Sequence, residues 1–282
     1  MCIRDRERSE ADLTERFHIP PGHPRAESLR IRERMVEYAR RGVVVLSGLI
    51  AHGRGEAFDY LIGERTMESA RKAIRAAAAA LLQAEHPVIS VNGNAAALSA
   101  HEIVHLAEVT GAAIEVNLFH RLPGREEAVA EVLREAGARE ILGIGEAASA
   151  QIPEIQSDRR RVDPRGILIA DVVLVPLEDG DRTEALVKMG KTVIAIDLNP
   201  LSRTAQYATI TIVDNIVRAM PALVREAEGL RHLSREELRE ILSEYSNREV
   251  LSEAIRLILE RLSGLAGKGI YLSLPKDMGD PC

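Results

Sequence analysis

Tryptophan is absent from this chain, and Phe, Trp and Tyr together make up only 3% of its 282 residues. A core made from it therefore rests on Ala, Val, Ile and Leu, a composition suited to helices laid on a sheet covered on both faces. Cysteine is almost missing too. Cys2 and Cys282 stand at opposite ends, which excludes a disulfide framework and any Cys-x-x-Cys metal site. A reducing cytoplasm is the expected compartment. Long hydrophobic runs are lacking: AIRAAAAALLQA at 73–84 is too short to span a bilayer and is flanked by charge, and no signal-like apolar segment stands at the start. No membrane association is expected. Nor is there an excess of positive charge. With a net charge of -6, the chain is a poor partner for nucleic acid, whose non-specific binding rests on neutralising phosphates. Two nucleotide fingerprints are missing as well, because no G-x-G-x-x-G follows a predicted strand and no G-x-x-x-x-G-K-[ST] occurs. A nucleotide bound here is held by another loop design.

Hydrophobic residues make up 46% of the chain, enough for a substantial core in two small domains or one α/β domain. Three runs, VVLV at 172–175, TVIAI at 192–196 and TITIV at 209–213, are continuously apolar rather than alternating, as strands of a parallel sheet are when both faces are covered. Further strands are predicted at 88–91, 113–118 and 140–144. Helices are predicted at about 25–41, from Glu56, at 65–85, from a Ser99-x-x-Glu102 capping box to Gly111, and at 124–136. After Asn215 come a helical stretch, a second box at Ser234-x-x-Glu237 leading to about 244, and an amphipathic segment at 248–263. The expected fold is α/β: a doubly wound, mainly parallel six-stranded sheet with N- and C-terminal helical additions. In domain terms, a disordered tail at 1–18 and a C-terminal tail at 269–282 enclose one unit at 19–268. Its core lies at about 86–216, between helical flanks at 19–85 and 217–268. If the strand order is 3-2-1-4-5-6, the switch point lies between strands 88–91 and 172–175.

Acidic and polar residues close each apolar run: Glu178, Asp179 and Asp181, then Asp197 and Asn199, then Asp214 and Asn215. Ligands of open α/β sheets bind at these carboxyl ends, where helix N-termini attract anions. Asp197 is placed to hold a ribose hydroxyl or, alternatively, to cap the turn through Asn199-Pro200. Arg203 and Thr204 add phosphate donors within seven residues of it. In HGRGE at 52–56, Gly53 and Gly55 flank Arg54, which reads equally as an anion loop and as a turn whose arginine pairs with Glu56 or Asp59. His52 is a candidate general base. Arg32, on a mostly apolar helix face, either snorkels at its edge or meets an anion. Asn92-Gly93-Asn94 opens a helix rather than a hairpin, and with Gly53 it is a candidate substrate contact. The basic stretch 145–166, with Arg159, Arg160, Arg161 and Arg165, reads as a solvated charge run or as a reach into a phosphate site.

GLIAHGRGEAFDYLIGERT at 48–66, VISVNGNAAAL at 88–98, VPLEDGDRTEALVKMGK at 175–191 and IDLNPLSRTA at 196–205 occur in register. Together they resemble the archaeal 4-phosphopantoate--β-alanine ligase (phosphopantothenate synthetase) family, over about Ile19 to Leu262. The resemblance implies a homodimer with a Rossmann-like core that condenses 4-phosphopantoate with β-alanine in coenzyme A biosynthesis, splitting ATP to AMP and diphosphate. It places ATP contacts on Arg32, Arg54, Asp197, Leu198, Asn199, Arg203, Thr204, Asn215 and Ile216. With ATP comes Mg²⁺, for which Asp179 and Asp181 are candidate ligands, directly or through water, and Arg54, His52 and Asp181 are the expected catalytic set. Two other classes compete: a non-catalytic nucleotide sensor, and the nucleotide domain of an oxidoreductase or thiamine-diphosphate enzyme. The first has no use for an intact HGRGE, and the second lacks its glycine fingerprint and a partner domain.

Overall fold

The computed structural model describes residues 19–268 except Pro21 and Pro24. The tails expected at 1–18 and 269–282 lie outside the described residues. Five parallel strands form the sheet: β1 (Pro87–Val91), β2 (Ala113–Val116), β5 (Val172–Pro176), β6 (Thr192–Ile196) and β7 (Ile210–Ile212), in the order β2-β1-β5-β6-β7. Two short strands, β3 (Ala150–Gln151) and β4 (Arg161–Val162), pair antiparallel away from it. Pro87 of β1 is in register with Val172 of β5, so the switch point stands between the two strands the sequence singles out.

The expected sixth strand is absent among the described residues. Only Leu142 of 140–144 joins the sheet, in a single parallel bridge to Glu115. Leu142 N–H donates to Ile114 O and its own O accepts from Val116 N–H, after which Gly143 (φ +79) turns the chain away.

One sheet face is covered by α3 (Glu68–Gln83), α4 (Gly93–Thr110) and α8 (Ile216–Leu230), which pack on one another and on the strands. Ala76 to Ala80 are all buried in α3, and their small side chains bring its backbone close to α8. The other face is covered by α6 (Gly180–Lys188) and by the irregular stretch 145–170, whose Ile152, Ile155, Val162 and Ile167 pack on Val173, Val175 and Val193. This corrects the solvated reading of 145–166: apolar residues between the arginines anchor the stretch, and Arg159 itself is buried. Glu115 of β2 staples the layer down, its carboxylate accepting the backbone N–H groups of Asp163 (3.1 Å) and Ile167 (2.6 Å).

Around this sheet stand α1 (Ala26–Arg40), α2 (Leu46–Ile62), α5 (Arg125–Glu135), α7 (Arg203–Tyr207), α9 (Arg235–Ser243) and α10 (Asn247–Lys268). Gly42 (φ +75) and Gly111 (φ +72) end α1 and α4 as the sequence indicates, and Ser234 and Glu237 form the full capping box of α9. Two helix starts differ from expectation. Helix α4 begins at Gly93 on an Asn92 cap, and Ser99 marks only a kink within it (φ -147, ψ 33). Helix α2 begins at Leu46, so Val43 to Val45 form no strand and HGRGE is helical rather than a loop. Gly48 serves close packing, since a Cβ there would lie 2.5 Å from Asn94 Oδ1, whereas one on Gly55 would make an ordinary 3.6 Å contact with Leu198 and one on Gly53 would meet nothing within 4 Å.

Candidate active site

Over the carboxyl ends of β5 and β6 lies a cleft of about 480 Å³. Its walls come from α2 (His52, Arg54, Glu56, Phe58), the start of α4 (Asn94), the turn after β5 (Leu177 to Gly180), the turn after β6 (Asp197 to Thr204) and the start of α8 (Asn215, Ile216). Residues as far apart as 52 and 216 thus face one space. The N-termini of α6 and α8 open into it, and their first N–H groups lack helical partners.

Asp197 is half-buried at the end of β6; its Oδ1 accepts the Asn199 N–H (2.9 Å) and its Oδ2 the Ser202 hydroxyl. Burial pushes this carboxyl up, while Ser202, Asn199 and the nearby charge of Arg54 pull it back. Asp197 thus caps its own turn and also lines the cleft. Asn199 Oδ1 accepts the Leu201 N–H (2.9 Å), and Leu198 is 7% exposed. Arg203, at the start of α7, reaches Asp181 and, at 3.0 Å, Glu184 of α6, with its guanidinium 5.7 Å from the Tyr207 ring centroid. Thr204 is buried and donates its hydroxyl to Glu178 O (3.0 Å). The two turns touch closely enough that a Cβ on Gly180 would lie 2.4 Å from Arg203 Cβ.

Arg54 is exposed on α2 and has no ion-pair partner among the described residues. Arg32 does not line the cleft. It forks onto Glu56 (2.8–3.1 Å), which does, and Tyr60 donates its hydroxyl to the same carboxylate (2.6 Å). Burial holds the His52 imidazole below its usual range. Gly53 faces solvent on the outer side of α2 with nothing within 4 Å of an added Cβ, and it is not among the cleft-lining residues. Asn92 is buried, its amide spent on the Ala95 N–H (3.0 Å), Pro176 O (2.8 Å) and Leu177 O (3.2 Å). It ties β1 to β5 across the switch point. Asn94 lines the cleft but donates to Gly48 O (2.9 Å).

No three His, Cys, Asp or Glu side chains converge on a metal position among the described residues. Asp179 caps α6 through the Arg182 N–H (3.0 Å) and lies 3.2 Å from Arg159 Nε, off-line for a hydrogen bond, whereas Asp181 is held by Arg203. Neither fits a direct metal ligand while those contacts stand. A magnesium ion that enters on a triphosphate and keeps most of its waters needs no such cage.

Several cleft features carry no sequence signal. Leu177 sits at φ +55 with no glycine to announce it. Behind it, Glu178 is buried between Arg159 and Arg182, both also buried. Arg182 follows Glu178 by four residues, but nothing in the sequence places Arg159 beside them.

A parallel α/β sheet with a polar cleft over its strand ends, entered by helix N-termini and flanked by two arginines, has the chemistry to hold an anionic ligand. Residues 69–261 match the family described as phosphopantothenate/pantothenate synthetase. The chain is 55% identical over 255 residues to a 4-phosphopantoate--beta-alanine ligase of Thermococcus kodakarensis, covering 90% of this chain and 97% of that one. It is 54% identical to the protein of that name from Methanosarcina mazei (90% and 99% covered) and 48% identical to that from Methanospirillum hungatei (86% and 98%). The chain belongs to the phosphopantothenate/pantothenate synthetase family.

Proposed function

We propose that this protein is a ligase joining 4-phosphopantoate to β-alanine at the expense of ATP, in coenzyme A biosynthesis. The observation that carries the reading is the meeting of Arg54, Asp197, Arg203 and Asn215 around one cleft in a chain about half identical to ligases of that name. ATP lies with its ribose toward Asp197 and its phosphates toward Arg54, Arg203 and the N-terminus of α8, where Asn215 and Ile216 present the first turn. Arg32 acts from behind Glu56. With its parallel strands in the order β2-β1-β5-β6-β7, the sheet has the 2-1-3-4-5 doubly wound order rather than the 3-2-1-4-5-6 order of a Rossmann sheet, with the same kind of ligand crevice at its switch point.

The chemistry is acyl activation. A carboxylate oxygen of 4-phosphopantoate attacks the α-phosphorus of ATP and diphosphate leaves; the β-alanine amine then attacks the acyl-adenylate and AMP leaves. Negative charge builds on phosphate oxygens in the first step, where fixed guanidinium groups stabilise it most. In the second step the amine loses a proton, and the neutral imidazole of His52 on the cleft wall accepts it. ATP enters as its magnesium complex. The substrates point to a cytoplasmic enzyme, and no described helix is long and apolar enough to cross a membrane.

The test is to incubate the pure protein with ATP, Mg²⁺, 4-phosphopantoate and β-alanine. AMP that appears only when both acids are present supports the ligase. ATP binding without AMP release favours a sensor.

A further inference from the structure

Behind the cleft, α2 and α8 are joined by a buried polar network that meets the cleft lining at Asn215. Asp59 of α2 is 5% exposed and Asp214, just before α8, is fully buried. Between them the Arg218 guanidinium donates to both oxygens of Asp59 (Nη1 to Oδ2, 3.2 Å; Nη2 to Oδ1, 2.5 Å) and to Asp214 Oδ1 (Nε 3.0 Å, Nη2 2.7 Å). Asn215 Nδ2 donates to Asp59 Oδ2 (2.8 Å), which leaves its Oδ1 to accept the Val217 N–H (3.3 Å) and cap α8. At the far end Asp214 Oδ2 accepts the Thr66 hydroxyl (2.6 Å). Two carboxylates around one arginine are costly to bury unless every acceptor is used. Here they fix one geometry.

We infer that Asp59 is a positioning residue for the nucleotide, locking the helix that carries His52 and Arg54 to the Asn215 cap on the opposite wall. The inference rests on the ATP reading of the cleft. Asp59 is not among the cleft-lining residues and acts through Asn215: by accepting from Nδ2 it selects the amide orientation in which Oδ1 holds the first turn of α8, leaving that turn's remaining N–H groups directed at the phosphates. It also sets the rotation of α2, since Asp59 and Arg54 lie on the same helix. Replacing Asp59 by Asn removes one acceptor. Whichever way the new amide turns, it fails either Asn215 or Arg218, and an Asn215 that turns in response takes Oδ1 away from α8. Thr66 belongs to the same network but touches neither Asn215 nor α2's bonds, so it reports what a purely structural loss does.

The test measures ATP binding by calorimetry and thermal unfolding for the full chain, Asp59→Asn and Thr66→Val. The expected result is that both variants lose thermal stability while only Asp59→Asn binds ATP at least tenfold more weakly. If Asp59→Asn does not fold, Arg218→Lys gives the same readout, because an ammonium keeps the charge but cannot fork onto both carboxylates. Wild-type affinity in the folded Asp59 or Arg218 variant overturns the inference, as does an equal loss of affinity in Thr66→Val. A wild-type protein that does not bind ATP removes the nucleotide reading itself, and the positioning role with it.

Discussion

Arg54 stands free over the cleft while Arg203 is held by Asp181 and Glu184, so the two arginines contribute differently to a bound phosphate. Arg54→Ala is expected to cut kcat/KM at least tenfold, about 1.4 kcal/mol of lost transition-state stabilisation. Steady-state kinetics check this, and near-normal turnover removes Arg54 from the reaction. For His52, burial favours the neutral ring, so the form that accepts protons persists below the ordinary value of 6.5. An acid limb in the kcat profile is expected below that value and should vanish in His52→Gln; a limb that survives the substitution belongs to another group. Single residues were legible where chemistry and position coincide. Asp197, at the end of an apolar strand with an arginine six residues on, is such a case. Asp59 and Arg218 were not, because a carboxylate on a helix reads as solvated until its distant partner is known.

At the scale of elements, β5, β6 and β7 were readable because a strand buried on both faces must be apolar throughout. The stretch 140–144 was not, since an edge segment that turns at Gly143 bonds through one residue only. The stretch 48–55 shows the ambiguity of glycine: Gly53 and Gly55 suggest a loop yet stand in a helix, and it is Gly48, upstream of HGRGE, whose missing side chain lets that helix approach Asn94. The same tolerance is testable at the start of α4, where a Cβ on Gly93 would lie 2.1 Å from Val43 O. Gly93→Ala is expected to lower stability by about 1–3 kcal/mol in urea titrations, through backbone displacement. Glu115 ties β2 to the layer at 163–167, and burial raises its pKa to about 7 from an ordinary 4.5. The folded protein therefore keeps a proton here that the unfolded chain releases. The associated stability is full below pH 4.5 and is lost as pH climbs through about 7. Glu115→Gln should flatten the fall in melting temperature across that window, and an unchanged slope refutes the assignment.

For the whole molecule, Leu46 and Ile50 on α2 are 78% and 74% exposed, and Phe119 and Leu122 after β2 are 46% and 56% exposed. Arg125 links these two regions by donating to both Val43 O and His120 O. Such apolar exposure beside the cleft suits a second copy of the chain, and a homodimer is the proposed assembly. Sedimentation is expected to give twice the 30.9 kDa chain mass for the wild type and a monomer for the Leu46→Glu, Ile50→Glu double variant. A monomeric wild type sinks this proposal. Strand order is not legible at this scale, since no local feature of the sequence says that segment 87–91 lies beside segment 172–176, and the observed β2-β1-β5-β6-β7 order differs from the common 3-2-1-4-5-6.

That adjacency, Pro87 facing Val172 with no hairpin anywhere in the main sheet, has a bearing on biogenesis. A nascent chain that has emerged only as far as β2 holds half of its central strand pair, so the sheet cannot complete until β5 clears the ribosome. Fragments cut before residue 172 are expected to stay loosely collapsed, and late emergence rather than local propensity sets the moment at which the enzyme acquires a place to bind anything.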